Sequence, residues 1–116
     1  MEELSVYDEN YFLFESPSLG NKPRADIHRD GDWHRTFDCW VSTRDKSGRV
    51  SLYFQRRSPN KGNTGLLLDA TVSGHYKADE GIEGVVREIY EEIGLQARIE
   101  ELIYLGTLVE MAKFDD

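Results

Sequence analysis

From Ile82 onward the chain carries its one strong helical period. Ile82, Val85, Val86, Ile89 and Ile93 recur at spacings of three and four, so on an α-helix they form a single apolar stripe. Gly94 stands where a C′ glycine ends a helix. Such a helix must bury its stripe against another element, and the rest of the chain offers mainly strands. Leu4, Val6 and Tyr7 are suited to an edge strand, and Tyr11–Phe14 to another. Residues 17–32 are rich in breakers and read as a loop. Residues 33–43 are aromatic and β-branched, DKSG at 45–48 reads as a turn, and Val50, Leu52 and Phe54 alternate with polar neighbours. These two runs make a hairpin, the second with two distinct faces. Residues 58–66 read as a loop, Leu66–Val72 as a short buried strand, 73–81 as a glycine-flanked loop, and Leu102–Val109 as a final strand. Several strands, one amphipathic helix and one strand predict an α+β fold, a mixed α/β sandwich.

At 116 residues the chain has room for one domain. Apolar residues make up 39%, and with ten glycines this suffices for a packed core. Fourteen basic residues against 22 acidic ones leave a net charge of −8, which excludes a general basic field for nucleic-acid polymers or anionic membranes. The single cysteine, Cys39, excludes an internal disulfide framework, and neither a signal peptide nor a membrane-length apolar run is visible. These features point to a cytoplasmic protein.

The chemistry concentrates in REIYEEIGL at 87–95. At 100° per residue, Glu88 and Glu92 lie on one face one turn apart, with Glu91 beside them and the isoleucines turned toward the core. Like charges at this spacing destabilise a helix by a few tenths of a kcal/mol, and acids near the helix C-terminus oppose the macrodipole. A hard divalent cation would offset both, since Mg²⁺ binds through one or two carboxylates, waters and substrate phosphates. The plainer alternative is a solvated face with Arg87 and Glu91 as an i,i+4 pair.

A strand, a glycine loop and an acidic helix in this order resemble the Nudix box. Gly74, five residues, Glu80, and then Arg87, Glu88, Ile89, Glu91, Glu92, Gly94 and Leu95 follow that pattern. Six residues rather than seven separate Glu80 from Arg87; Asp79 would restore seven but would put Ser73 at the glycine. The shortened box at 74–95, with HRTFDCWV at 34–41 and QRRSPNK at 55–61, is similar to the isopentenyl diphosphate isomerase-like branch. The resemblance runs from about Val6 to Val109. It implies a single Nudix domain over 1–116, C-terminally incomplete after the box helix and one strand.

It further implies a Mg²⁺-dependent hydrolase, with Mn²⁺ as a substitute metal. The substrate would carry a diphosphate, either a nucleoside diphosphate linked to another moiety or a related organic pyrophosphate. Glu88 and Glu92 would be the main metal ligands, with Glu91 as a further ligand or helping to activate water. Arg87 would hold the carboxylates, and the Gly74 carbonyl would complete the coordination. Metal ions neutralise a diphosphate and align its attacking oxygen. Six of the 14 basic residues lie between Arg44 and Lys61, so Arg56, Arg57 and Lys61 are candidates for a substrate phosphate or a plain strand end. His75 is a substrate-side candidate or a loop histidine; in related isomerases a histidine here lies near the metal. His28 and His34 have no partner at ligand spacing and are taken as structural, and Trp33 and Trp40 as core or wall.

A non-catalytic ligand- or partner-binding module is the alternative, and an isomerase-like enzyme a lesser one. The isomerase cysteine sits just before the box, where this chain reads LLLDATVSGH, so Cys39 is read as a small buried residue. A homodimer stays open, because an incomplete sheet exposes an edge or an apolar patch.

Overall fold

A computed structural model describes residues 2–8, 17–60 and 65–110. The elements are β1 (Glu3–Val6), β2 (Gly20–Pro23), α1 (Arg24–Asp30), β3 (Thr36–Cys39), β4 (Ser42–Arg44), β5 (Val50–Leu52), β6 (Gln55–Arg56), β7 (Leu68–Asp69), β8 (Val72–His75) and α2 (Glu83–Ile93), followed by a 3₁₀ turn at Ile99–Glu101. Strands pair two by two: β1 with β2, β3 with β8, β4 with β5, and β6 with β7. The class is α+β. The chain divides into two compact units, one of residues 1–37 and 74–104, the other of 38–73 and 105–116. Among the described residues no helix is long and apolar enough to cross a membrane.

In the first unit, β1 and β2 run antiparallel with Leu4 opposite Lys22 and Val6 opposite Gly20. Leu4, Val6 and Ile27 of α1 form a buried cluster. The helix α1 corrects the reading of 17–32 as loop. Its breakers stand at the ends: Pro23, with φ −58°, precedes the first turn, where a missing N–H costs nothing. Gly31, at φ 73°, closes the last turn and donates its N–H to the Ile27 carbonyl at 2.9 Å. Only seven residues long, α1 shows too little periodicity to be noticed.

The helix α2 follows its periodicity and stops at Gly94, which is left-handed at φ 72°. Val85 and Ile89 are buried, each contributing about 1.5–3 kcal/mol, while Ile82 and Ile93 at the ends of the stripe stay exposed. The loop before α2 is tied to β1. Ala78 N–H donates to the Glu3 carbonyl at 2.9 Å, and Asp79 N–H to the Oγ of buried Ser5 at 2.9 Å. The first residues of the 73–81 segment are not loop, because Ser73, Gly74 and His75 complete β8.

In the second unit, β4 and β5 form an antiparallel hairpin, Arg44 opposite Val50, but only the end of the run 33–43 takes part in it, because β3 (Thr36–Cys39) pairs with β8 instead. Asp45 Oδ1 accepts the N–H groups of Ser47 and Arg49, both at 2.9 Å, which closes the turn. The hairpin has no buried face, however: Val50, Leu52 and Phe54 are all exposed. The run 66–72 is also corrected. Leu66, Leu67 and Leu68 are exposed, β7 is two residues long, and burial begins only at Ala70, Thr71 and Val72. Trp40 is exposed, its ring edge-on to Phe54.

No strand forms among residues 102–110, with Ile103, Tyr104, Leu105 and Leu108 each at least 79% exposed. A strand needs a neighbour for its N–H and C=O groups, and an apolar run in sequence does not supply one. The strand expected at Tyr11–Phe14 lies outside the described residues.

Candidate functional site

The polar face of α2 is organised by Arg87. Its Nε and Nη2 donate to the two carboxylate oxygens of Glu80, each at 3.1 Å. Its Nη1 donates to Glu88 Oε1 at 2.9 Å and to Glu91 Oε2 at 3.0 Å. One guanidinium thus serves three carboxylates, using the fork geometry that a lysine lacks. The Arg87–Glu91 pair of the plainer alternative is therefore present. That alternative does not explain Glu80 and Glu88, whose side chains are only 13% and 19% exposed.

Glu80 reaches Arg87 because Gly84 leaves room for it; a methyl group at Gly84 would overlap the Glu80 carboxylate. Glu80 also accepts the Lys77 N–H at 3.0 Å. Asp79, the other acid considered for the box, instead meets Asn21 at 3.4 Å. The shortened spacing still lets Glu80 span back over the first turn of α2 to Arg87. Burial works to raise the Glu80 pKa, but the hydrogen bonds from Arg87 and Lys77 outweigh it and hold the carboxyl below its usual range. The Arg87 pKa is raised, chiefly by Glu80.

A pH effect follows. A carboxyl with a depressed folded-state pKa contributes stability that is present above its unfolded pKa of about 4.3 and lost as pH falls through the folded value. Urea unfolding from pH 6 downward should show stability falling below about pH 4.5, with a shallower slope in Glu80→Gln. Parallel slopes in the two proteins would remove Glu80 from this role.

Gly74 in β8 faces Glu88. A methyl group there would stand 3.4 Å from the Phe37 ring and 3.5 Å from Glu88 Cδ. Glycine at this place keeps the main chain near the carboxylate with no side chain between. Glu91 and Glu92 are exposed on the last turns of α2. Carboxylates beside a bare main-chain stretch are an all-oxygen donor set, which fits a hard divalent cation such as Mg²⁺. Gly74, Arg87, Glu88, Glu91 and Glu92 all belong to the first unit.

Three imidazoles meet in the same unit. The rings of His28, His34 and His75 lie 5.3–5.4 Å apart centre to centre, with one nitrogen from each within 4.8 Å of the others. His28 and His34, which have no partner at ligand spacing in sequence, thus have neighbours at ligand distance in the fold. They are far apart in ligand spacing along the chain, and α1, the segment before β3 and the end of β8 bring them together. His34 Nδ1 lies 3.0 Å from the Asp32 carbonyl, which can only accept, so this nitrogen is the donor in that bond. Three imidazole nitrogens suit a borderline metal such as Zn²⁺ or Co²⁺ better than Mg²⁺. Titration with Co²⁺ should give visible d–d absorption that His34→Ala weakens about tenfold or more; an unchanged spectrum and affinity in that variant would dismiss the cluster as a ligand set.

The remaining candidates lie elsewhere. Arg56 and Arg57 belong to the second unit. Arg57 pairs with Asp69 at 3.2 Å, and Arg56 reaches the Leu66 carbonyl at 3.4 Å. Lys61 lies outside the described residues. Cys39 is half-buried, and burial pushes its thiol pKa up, away from thiolate chemistry.

The family model for the NUDIX domain matches residues 32–116. An uncharacterized Nudix hydrolase of Clostridium acetobutylicum is 40% identical over 112 residues, covering 95% of this chain and 52% of that protein. Nudix hydrolase 3 of Arabidopsis thaliana is 34% identical over 77 residues, 66% of this chain and 10% of that protein. Isopentenyl-diphosphate Delta-isomerase 2 of Photorhabdus laumondii is 28% identical over 103 residues, 88% of this chain and 54% of that protein. The chain thus spans about half the length of two of these relatives and a tenth of the third. No solved structure matches it.

Proposed function

The chain belongs to the Nudix family, and from that premise we propose that it is a metal-dependent hydrolase of a diphosphate linkage in a small molecule. The observation that carries this reading is the α2 face, where Arg87 gathers Glu80, Glu88 and Glu91 beside the bare main chain of Gly74. Glu88 and Glu92 would hold Mg²⁺, or Mn²⁺ in its place, with the Gly74 carbonyl as a further oxygen and Glu91 either as a third ligand or as the group that activates water. The cation, when bound, supplies charge neutralisation for the diphosphate and lowers the pKa of water.

The chain's own residues do the rest. Arg87 holds Glu88 and Glu91 in fixed orientation and, by pairing with them, lessens the repulsion that would otherwise spread the acidic face. Glu91 is exposed and touches Arg87 with one oxygen, which leaves the other to take a proton from an attacking water. Arg56, Arg57 and Lys61 stay as the basic candidates for the substrate phosphates. His75 would serve the substrate side only if the imidazole cluster does not take it. We read residues 1–116 as one Nudix domain with its box at 74–95, and the protein as cytoplasmic.

The decisive experiment is a panel of nucleoside diphosphate derivatives and simpler organic pyrophosphates, incubated with and without Mg²⁺. Mg²⁺-dependent release of phosphate or nucleoside monophosphate supports the hydrolase. Saturable ligand binding without turnover would favour a binding module instead. A second reading rests on one observation, the imidazole cluster combined with likeness to a Delta-isomerase. Incubation with isopentenyl diphosphate tests it, and the absence of cysteine from residues 66–75 weighs against it.

A further inference from the structure

Arg35 stands outside the acidic face yet reaches into its support. Its guanidinium lies over two phenol rings, 4.7 Å from the centre of Tyr76 and 5.2 Å from that of Tyr7. Two aromatic faces fix the plane of an arginine far better than that of a lysine. Held there, Nη2 donates to the main-chain carbonyl of Glu80 at 2.6 Å. The main chain of Arg35 adds a second tie, its carbonyl accepting the Tyr76 N–H at 3.2 Å. Meanwhile Arg35 Nε is buried without an acceptor among the described residues. An arginine used only as filling would not keep an unmet donor there, since that costs stability an apolar side chain would not lose.

Glu80 is the residue whose carboxylate grips Arg87, and Arg87 in turn holds Glu88 and Glu91. The main chain at Glu80 sits in the seven-residue junction 76–82, which has no regular structure before Glu83. Ala78 and Asp79 tie the start of that junction to β1, and Arg35 adds the tie at the Glu80 carbonyl, where the grip originates. We propose that Arg35 is a positioning residue for the acidic face, acting from its phenol clamp through the Glu80 main chain and the Glu80–Arg87 pair. It touches neither metal nor substrate. Only the metal arm of the test below rests on the proposed function; the relay from Arg35 to Arg87 stands on geometry alone.

The test uses the full chain with Arg35→Met and Arg35→Lys. Two signals are read: solvent exchange of the Arg87 Nε–H by NMR, and Mn²⁺ affinity by electron paramagnetic resonance. Co²⁺ absorption at the imidazoles serves as control, because His34 adjoins Arg35. In Arg35→Met, exchange at Arg87 should rise about tenfold and Mn²⁺ should bind about tenfold more weakly, the usual size of an outer-shell loss. Co²⁺ binding should stay as in the wild type. Arg35→Lys should fall between the two, because an ammonium can still reach the Glu80 carbonyl but is not held in plane. Wild-type exchange at Arg87 in folded Arg35→Met would overturn the proposal, even if that variant melts earlier, since a purely structural role lowers stability without loosening one pair. Should Arg35→Met not fold, Arg35→Lys decides by the same measure. If the wild type itself binds no Mn²⁺, the metal reading of α2 fails, and exchange at Arg87 still decides the relay.

Discussion

Glu88→Gln is expected to reduce metal-dependent hydrolysis of whichever diphosphate proves to be the substrate by about 10²–10³-fold, the scale of losing one preorganised electrostatic group. The substitution keeps size and hydrogen bonding to Arg87 but removes the charge a cation would need. Glu92→Gln should weaken Mg²⁺ or Mn²⁺ in calorimetric titration, and Glu91→Gln should lower turnover more than metal affinity if Glu91 takes the proton. Equal metal affinity in the wild type and Glu92→Gln would remove Glu92 from the ligand set. Full hydrolysis by Glu88→Gln would refute the proposed function at its centre, because the carboxylate least exposed on α2 would then have no part in it.

Arg87→Met should destabilise the fold by about 2–3 kcal/mol, somewhat less than the ~3–5 expected for a fully buried pair, because water still reaches part of the cluster. The reason is not the lost attraction alone. Glu80 and Glu88 would be left with little solvent and no cation, and the acids of α2 would face each other uncompensated. Urea unfolding at pH 7 measures the loss, and much of it should vanish near pH 4, where the stranded carboxylates take up protons. A loss under about 0.5 kcal/mol would mark the cluster as an ordinary surface network.

The helix α2 was legible because the two things that make it are local: a 3.6-residue period and a glycine stop. The placing of Arg87, Glu88, Glu91 and Glu92 on one side followed from the same geometry. The hairpin at 42–52 was legible for a similar reason, since Asp45 closes its turn with its own neighbours. The short helix α1 was not, although Pro23 and Gly31 are ordinary helix boundary residues. In a seven-residue helix one buried side chain, Ile27, is too little to make a pattern.

The alternating residues at 50–54 and the apolar runs at 66–68 and 102–109 promised burial and did not receive it. Alternation states which side of a strand would be apolar, and says nothing of what lies against it. The sequence by itself determined the acidic helix, its stop and its charge. The tertiary structure decided which acid Arg87 holds, that Gly74 comes up to Glu88, that Arg35 reaches Glu80, and that three histidines up to 47 positions apart share one spot. Contacts between distant segments depend on how loops and strands pack, and no local spacing rule encodes that.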